Sequence, residues 1–195
     1  MNTFSGHSFH PVIELPERYD VLDLSIPPER RAKRTSDFSI GRYNEIRPDT
    51  YEDELFAGTR NIHMGIDIGA PVGTAVHAFA DGWIECFGYN AAKGDYGNTV
   101  ITGHRLDGVT IYALHGHLDS ASIQDKSNGQ DISRGSLIGR LGAEHENGGW
   151  PPHLHFQLSW SKPRTYDLPG VVDEAERAQA LRSYPDPRII LGPLY

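Results

Sequence analysis

From about residue 60 onward, apolar and polar positions alternate in short runs that are separated by Gly, Asp, Asn and Pro. Alternation with a period of two sends successive side chains to opposite faces of an extended strand, so this texture predicts an antiparallel sheet. The expected strands are residues 65–68, 75–80, 82–89, 98–104, 109–117, 137–141 and 153–159. Asp81-Gly82 and Asp107-Gly108 stand between such runs and read as hairpin turns. Upstream, residues 1–55 carry scattered Pro, mixed charges and brief apolar pieces such as Pro11-Val12-Ile13-Glu14-Leu15, which predicts an irregular arm packed on the body. Downstream, the Glu, Ala, Arg, Gln and Leu content of residues 171–184, bounded by Pro169-Gly170 and Pro185, predicts a short helix. The expected fold is mostly β: an N-terminal arm (1–55), an antiparallel β-sheet core (56–162) and a C-terminal extension with one short helix (163–195).

Composition supports that outline. The 195 residues fit one domain on a scale of about 150 residues per domain, and 21 glycines with 13 prolines suit a fold rich in turns. A net charge of −8 disfavours nucleic acid as a partner, because neutralising phosphates takes clustered Lys and Arg. The short basic run Arg30-Arg31-Ala32-Lys33-Arg34 reads as a solvated stretch. The lone Cys86 has no partner for an internal disulfide and sits in a strand-like run, where a free Cys behaves as a small hydrophobe. The start, Met1-Asn2-Thr3-Phe4-Ser5-Gly6, lacks a basic stretch followed by an apolar run, and no run of about 18 apolar residues occurs. These features predict a cytoplasmic protein with no membrane span. No feature of the sequence specifies an oligomeric state.

The chemistry sits on three short segments. In His63-Met64-Gly65-Ile66-Asp67 an extended strand would place residues 63, 65 and 67 on one face, and Gly65 leaves the space between imidazole and carboxylate open. In His153-Leu154-His155 and in His115-Gly116-His117 each pair of histidines shares a strand face. A single histidine is usually a hydrogen-bonded or surface residue; paired histidines with a carboxylate at matched spacing are costly to explain as packing, since each buried imidazole needs its own partner. Two His and one carboxylate with a fourth position open is the ligand set of a catalytic zinc, whereas a structural zinc usually recruits Cys. The helical H-E-x-x-H signature is absent, because Gly149 follows His145-Glu146 where a second His is required.

These residues resemble the lysostaphin/LytM-type zinc metallopeptidases, a family with a small, mostly antiparallel β core of the duplicated hybrid motif kind. The resemblance rests on H-x-x-x-D (His63 to Asp67) and H-x-H (His153 to His155). It extends through Gly69-Ala70-Pro71-Val72-Gly73-Thr74-Ala75-Val76, Ala80-Asp81-Gly82, Tyr96-Gly97-Asn98-Thr99-Val100 and Gly116-His117-Leu118, covering about residues 60–160. It implies one zinc per chain held by His63, Asp67 and His155, with His117 and His153 as the catalytic histidines. It also implies hydrolysis of a peptide or muropeptide substrate, peptidoglycan cross-links being the family precedent. His115 stands where the family often has Tyr; sharing a face with His117, it is a candidate to line the cleft or sit behind the ligands. Trp150, beside Pro151-Pro152, is a candidate cleft wall. His77 and His104 read as structural.

Some relatives carry an inhibitory segment in which an Asn takes the open metal position, and Asn44 and Asn61 are candidates for that role. The tail around Asp167-Leu168-Pro169-Gly170 is similar to peptidase-like domains fused to class III aminotransferases. Two other classes stand beside the peptidase. One is a binding or regulatory module that keeps fold and metal without catalysis, disfavoured by the complete histidine set. The other is a phosphocarrier domain of the sugar phosphotransferase kind, disfavoured by the His63 and Asp67 pair.

Overall fold

The computed structural model describes residues 4, 6–51, 53–56 and 58–195; most of the N-terminal stretch read for a leader lies outside them. Numbered in chain order, the strands are β1 (Asp20–Val21), β2 (Ser39–Gly41), β3 (Glu45–Ile46), β4 (Ile62–His63), β5 (Ile66–Gly69), β6 (Ala75–His77), β7 (Gly82–Asn90), β8 (Gly97–Leu106), β9 (Val109–Leu118), β10 (Asp131–Ile132), β11 (Leu137–Arg140), β12 (His153–Ser159) and β13 (Val171–Val172). Two α-helices follow, α1 (Glu174–Ser183) and α2 (Arg188–Leu191). Eight strands form one sheet in the order β1-β2-β5-β12-β9-β8-β7-β10, antiparallel except for the β1/β2 pair. A three-stranded sheet, β13-β4-β3, and a two-stranded one, β11-β6, complete it. The mostly β, antiparallel architecture is therefore the one the alternation predicts.

Alternation in β12 explains how core and site share a strand. Leu154, Phe156 and Leu158 are fully buried and join Ile66, Ile68, Val100, Ile111 and Ala113 in the main core. Each of the Leu, Phe, Ile and Val side chains contributes about 1.5–3 kcal/mol by leaving water. The intervening His153, His155 and Gln157 face the other way, off the main core. β8 and β9 join through Asp107 and Gly108, both at positive φ, as a two-residue hairpin turn requires.

Four expectations need correction. Residues 63–67 are not one extended strand: β4 belongs to the small sheet and β5, beginning at Ile66, to the large one. Asp81-Gly82 is not a hairpin turn, because β6 pairs with β11 while β7 pairs with β8 and β10. The helix starts at Glu174; Val171 and Val172 instead pair with His63 and Ile62, a place that suits two β-branched side chains. Asp173 caps the helix by accepting the Glu176 amide at 2.9 Å. Finally, the arm is less irregular than its sequence suggests, since β2 pairs along β5 and β3 along β4. Among the described residues no helix is long and apolar enough to cross a membrane.

Candidate metal centre and cleft

The two sheets meet at His63, Asp67 and His155. β4 carries His63, β5 carries Asp67, and β12 brings His155 directly opposite Asp67 in the ladder. Three atoms form a nearly equilateral triangle: His63 Nε2 lies 3.0 Å from His155 Nδ1, and each lies 3.1 Å from Asp67 Oδ1. Both imidazoles are buried, at 1% and 3% exposure. Gly65 serves the triangle by close approach: a Cβ there would stand 2.6 Å from both Cε1 and Nε2 of His155.

Hydrogen bonding fixes which nitrogens carry protons. His63 Nδ1 is 2.9 Å from the Arg42 carbonyl oxygen, which can only accept, so Nδ1 donates and Nε2 keeps its lone pair. His155 Nε2 donates in the same way to Gln157 Oε1 at 3.0 Å, leaving Nδ1 with its lone pair. Two lone pairs and a carboxylate oxygen thus face one another in a buried site. Without a cation this arrangement is repulsive; with one it is the donor set of a three-ligand metal site. Burial and the Arg47 charge bring the His63 pKa down to about 4, keeping the ring neutral. Burial works to raise the Asp67 pKa, but the charge that His63 carries once protonated and the Arg47 guanidinium hold it well below the usual carboxylate range.

His117 and His153 stand beside this triangle, their ring centroids 4.2 Å apart. His117 Nδ1 donates to the Asn147 carbonyl at 2.7 Å and His153 Nδ1 to the Pro151 carbonyl at 2.7 Å, so each is left with a basic Nε2. His153 Nε2 is 3.8 Å from Asp67 Oδ1. Burial lowers the pKa of both rings, helped at His117 by the neighbouring His153 and His155. His117 adopts φ 63°, an uncommon conformation for a residue with a Cβ that tends to persist where the surroundings over-determine it. It results from a β-bulge: Asn98 pairs with Leu118 but Val100 with His115, which leaves one extra residue in β9.

The same bulge corrects the expectation for His115. It pairs with Val100 and Phe156 on the core face, is fully buried, and packs its ring 5.4 Å from that of Phe156. The extra residue separates the faces of His115 and His117, so His115 is a core residue rather than part of the cleft or of the ligands' support. His104 is also a core residue, donating to the Asp81 carbonyl and accepting from the Thr102 hydroxyl.

A cleft of about 410 Å³ opens over the triangle, within the range of ligand sites. Trp150 lines it, with its indole N–H anchored on the Gly94 carbonyl at 3.0 Å, so wall and loop anchor are one residue. Leu168 to Val171 of the extension form another side, and Leu22, Tyr51 and Leu55 bring the arm to a third. Asn44 instead holds Arg177 through its Oδ1, and Asn61 is tied through its backbone to Val172 and Arg47; among the described cleft-lining residues neither occurs.

Sequence reading missed several supports. Gln157 was legible in principle, being two residues beyond His155 on one strand face. Asn147, fully buried, holds the loop before β12 by donating to Gly142 and Trp150 carbonyls and accepting the Gly149 and Trp150 amides. Arg47, at 2% exposure, donates to Asp67 Oδ2 at 2.7 Å, and no motif announces it.

A model of peptidase family M23 matches residues 61–167. The chain is 40% identical over 110 residues to the DD-carboxypeptidase/endopeptidase Mpg of Neisseria meningitidis serogroup B, an alignment covering 56% of this chain and 23% of that protein. It is 34% identical over 116 residues to the peptidoglycan DD-endopeptidase ShyC of Vibrio cholerae, covering 57% and 24%. The match thus spans about a quarter of the length of these curated relatives. In structure the chain is similar to the catalytic domain of lysostaphin from Staphylococcus simulans, with a TM-score of 0.50 and 22% identity over 73% of this chain and 92% of that one, a likeness of fold. With the matched segment covering more than half of the sequence and containing all five residues of the triangle and its neighbouring histidines, the chain belongs to peptidase family M23.

Proposed function

We propose that this chain is a zinc-dependent metallopeptidase that hydrolyses peptide bonds in muropeptides, the peptide-bearing fragments of peptidoglycan. The observation that carries the reading is the buried triangle of two imidazole lone pairs and a carboxylate oxygen, with two further histidines alongside whose Nε2 atoms are unprotonated. His63, Asp67 and His155 would hold the zinc. A zinc held there would supply a Lewis acid for the scissile carbonyl and would lower the pKa of a water to about 7.

The remaining tasks fall to the chain. The attacking water loses a proton, the tetrahedral oxyanion needs a donor, and the leaving amine needs a proton. His117 and His153 share these tasks. Their carbonyl partners hold Nδ1 protonated, so that Nε2 alone takes up and releases the proton. Burial keeps both rings neutral near pH 7 and makes each a willing donor once protonated. The aromatic side of the cleft, with Tyr51, Tyr96 and Trp150, suits an uncharged peptide backbone.

The names of the relatives Mpg and ShyC support the choice of substrate class. The test is hydrolysis of a panel containing soluble muropeptides, intact peptidoglycan and oligoglycine, followed by mass spectrometry. Zinc-loaded protein is expected to cut muropeptides, to stop when a chelator is added and to resume when zinc is restored. If zinc-loaded, folded protein leaves every member of the panel intact, the reading gives way to a non-catalytic module on the same fold.

A further inference from the structure

The segment of the family match begins at residue 61, yet two of the three triangle residues are held by groups that precede it. Arg47 donates through Nη1 to Asp67 Oδ2 at 2.7 Å, the carboxylate oxygen that does not face the two imidazoles. The same Nη1 reaches the Tyr51 hydroxyl at 2.9 Å, and Nε donates to Glu45 Oε2 at 2.9 Å. Nη2 points at the Arg42 carbonyl oxygen at 3.3 Å, the oxygen that also receives the proton of His63 Nδ1. One short piece of the arm therefore orients both His63 and Asp67.

The backbone is arranged for this. Gly41 lies opposite Asp67 in β2, and Glu45 opposite His63 in β3. A Cβ at Gly41 would stand 2.8 Å from Arg47 Nη2 and 3.2 Å from Asp67 Cβ, so the guanidinium reaches the carboxylate across space that glycine leaves free. Arg47 is 2% exposed, with Glu45 at 8% beside it. Its buried charge is paired with the carboxylates of Asp67 and Glu45.

We infer that Arg47 is a positioning residue for the metal centre, fixing the Asp67 carboxylate so that Oδ1 faces His63 and His155. Partners behind a ligand set its orientation, and their loss typically weakens metal binding about 10–100-fold. A planar fork suits this role and an ammonium does not, because Arg47 serves Asp67, Glu45 and Tyr51 at once while Lys offers a single point of attachment. The inference rests on the metal reading above and adds the arm to the metal centre.

The test compares zinc affinity, by competition with a chromophoric chelator, in the full chain and in Arg47→Met and Arg47→Lys. Visible spectra of the cobalt-substituted proteins are recorded in parallel, and circular dichroism in chelator checks the fold. Both variants are expected to bind zinc at least about tenfold more weakly, with a changed cobalt spectrum and an unchanged apo fold. A folded variant with wild-type affinity and spectrum overturns the inference while leaving the metal reading intact. If neither variant folds, Arg47 belongs to the fold and not to the metal centre, and the inference also falls. Absence of zinc binding by the unaltered chain would remove the metal reading itself.

Discussion

On the proposed mechanism, removing the imidazole of His117 separates metal binding from proton transfer. Its Nδ1 is engaged by Asn147 and its Nε2 is free, so it contributes no atom to the triangle. His117→Ala is expected to keep zinc affinity while hydrolysis falls by about 10²–10⁴-fold, the usual contribution of a positioned acid or base. Wild-type turnover in that variant would remove His117 from the reaction. Its neighbour in sequence behaves differently. His115 Nε2 is buried without a hydrogen-bond partner, and burial brings its pKa down to about 3. Between about pH 6.5 and the folded value the unfolded chain binds a proton that the folded chain refuses, so this ring withdraws stability as pH falls through that window. His115→Phe is expected to leave zinc binding and hydrolysis unchanged. It should also flatten the slope of unfolding free energy against pH, measured in chelator, by up to about 1.4 kcal/mol per pH unit. Loss of activity in a folded His115→Phe would contradict its place in the core.

At the scale of elements, what was legible followed from local alternation and what was not followed from pairing. β12 reads directly off His153-Leu154-His155-Phe156-Gln157-Leu158, because its two faces differ in chemistry along the whole strand. The bulge that turns His115 and His117 to opposite faces depends on the β8 register, which no run within β9 encodes. Val171 and Val172 sit at the edge of a helical composition, and only the vacant side of β4 makes them a strand. The arm shows the same limit: Ser39-Ile40-Gly41 is too short to announce itself, yet β2 pairs along β5 and buries Ile40 in the core. A chain shortened to the matched segment, residues 61–167, would expose the β2 side of β5 and lose Arg42 and Arg47. It is expected to show no cooperative thermal unfolding and markedly weaker zinc binding. A fragment that melts cooperatively and binds zinc like the full chain would show the arm to be dispensable.

For the whole molecule, the eight-stranded sheet and the three-stranded sheet meet at the candidate metal centre. His63 comes from one sheet, Asp67 and His155 from the other, and the arm and the C-terminal extension line the cleft above them. The five candidate residues could be picked out because they fall in the short motifs H-x-x-x-D, H-x-H and Gly-His-Leu, which are local in the chain. Arg47 and Asn147 were less so, because Arg47 acts on a carboxylate distant in sequence and Asn147 through backbone groups, whereas Gln157, two residues from His155, was legible in principle. The account stands on the triangle being a metal site. Isothermal titration of the metal-free protein with zinc tests this most directly, with His63→Ala, Asp67→Ala and His155→Ala measured alongside. One zinc per chain is predicted for the unaltered protein and none at the same concentrations for the three variants. Absence of binding by the unaltered protein, or full binding retained in the ligand variants, would contradict it.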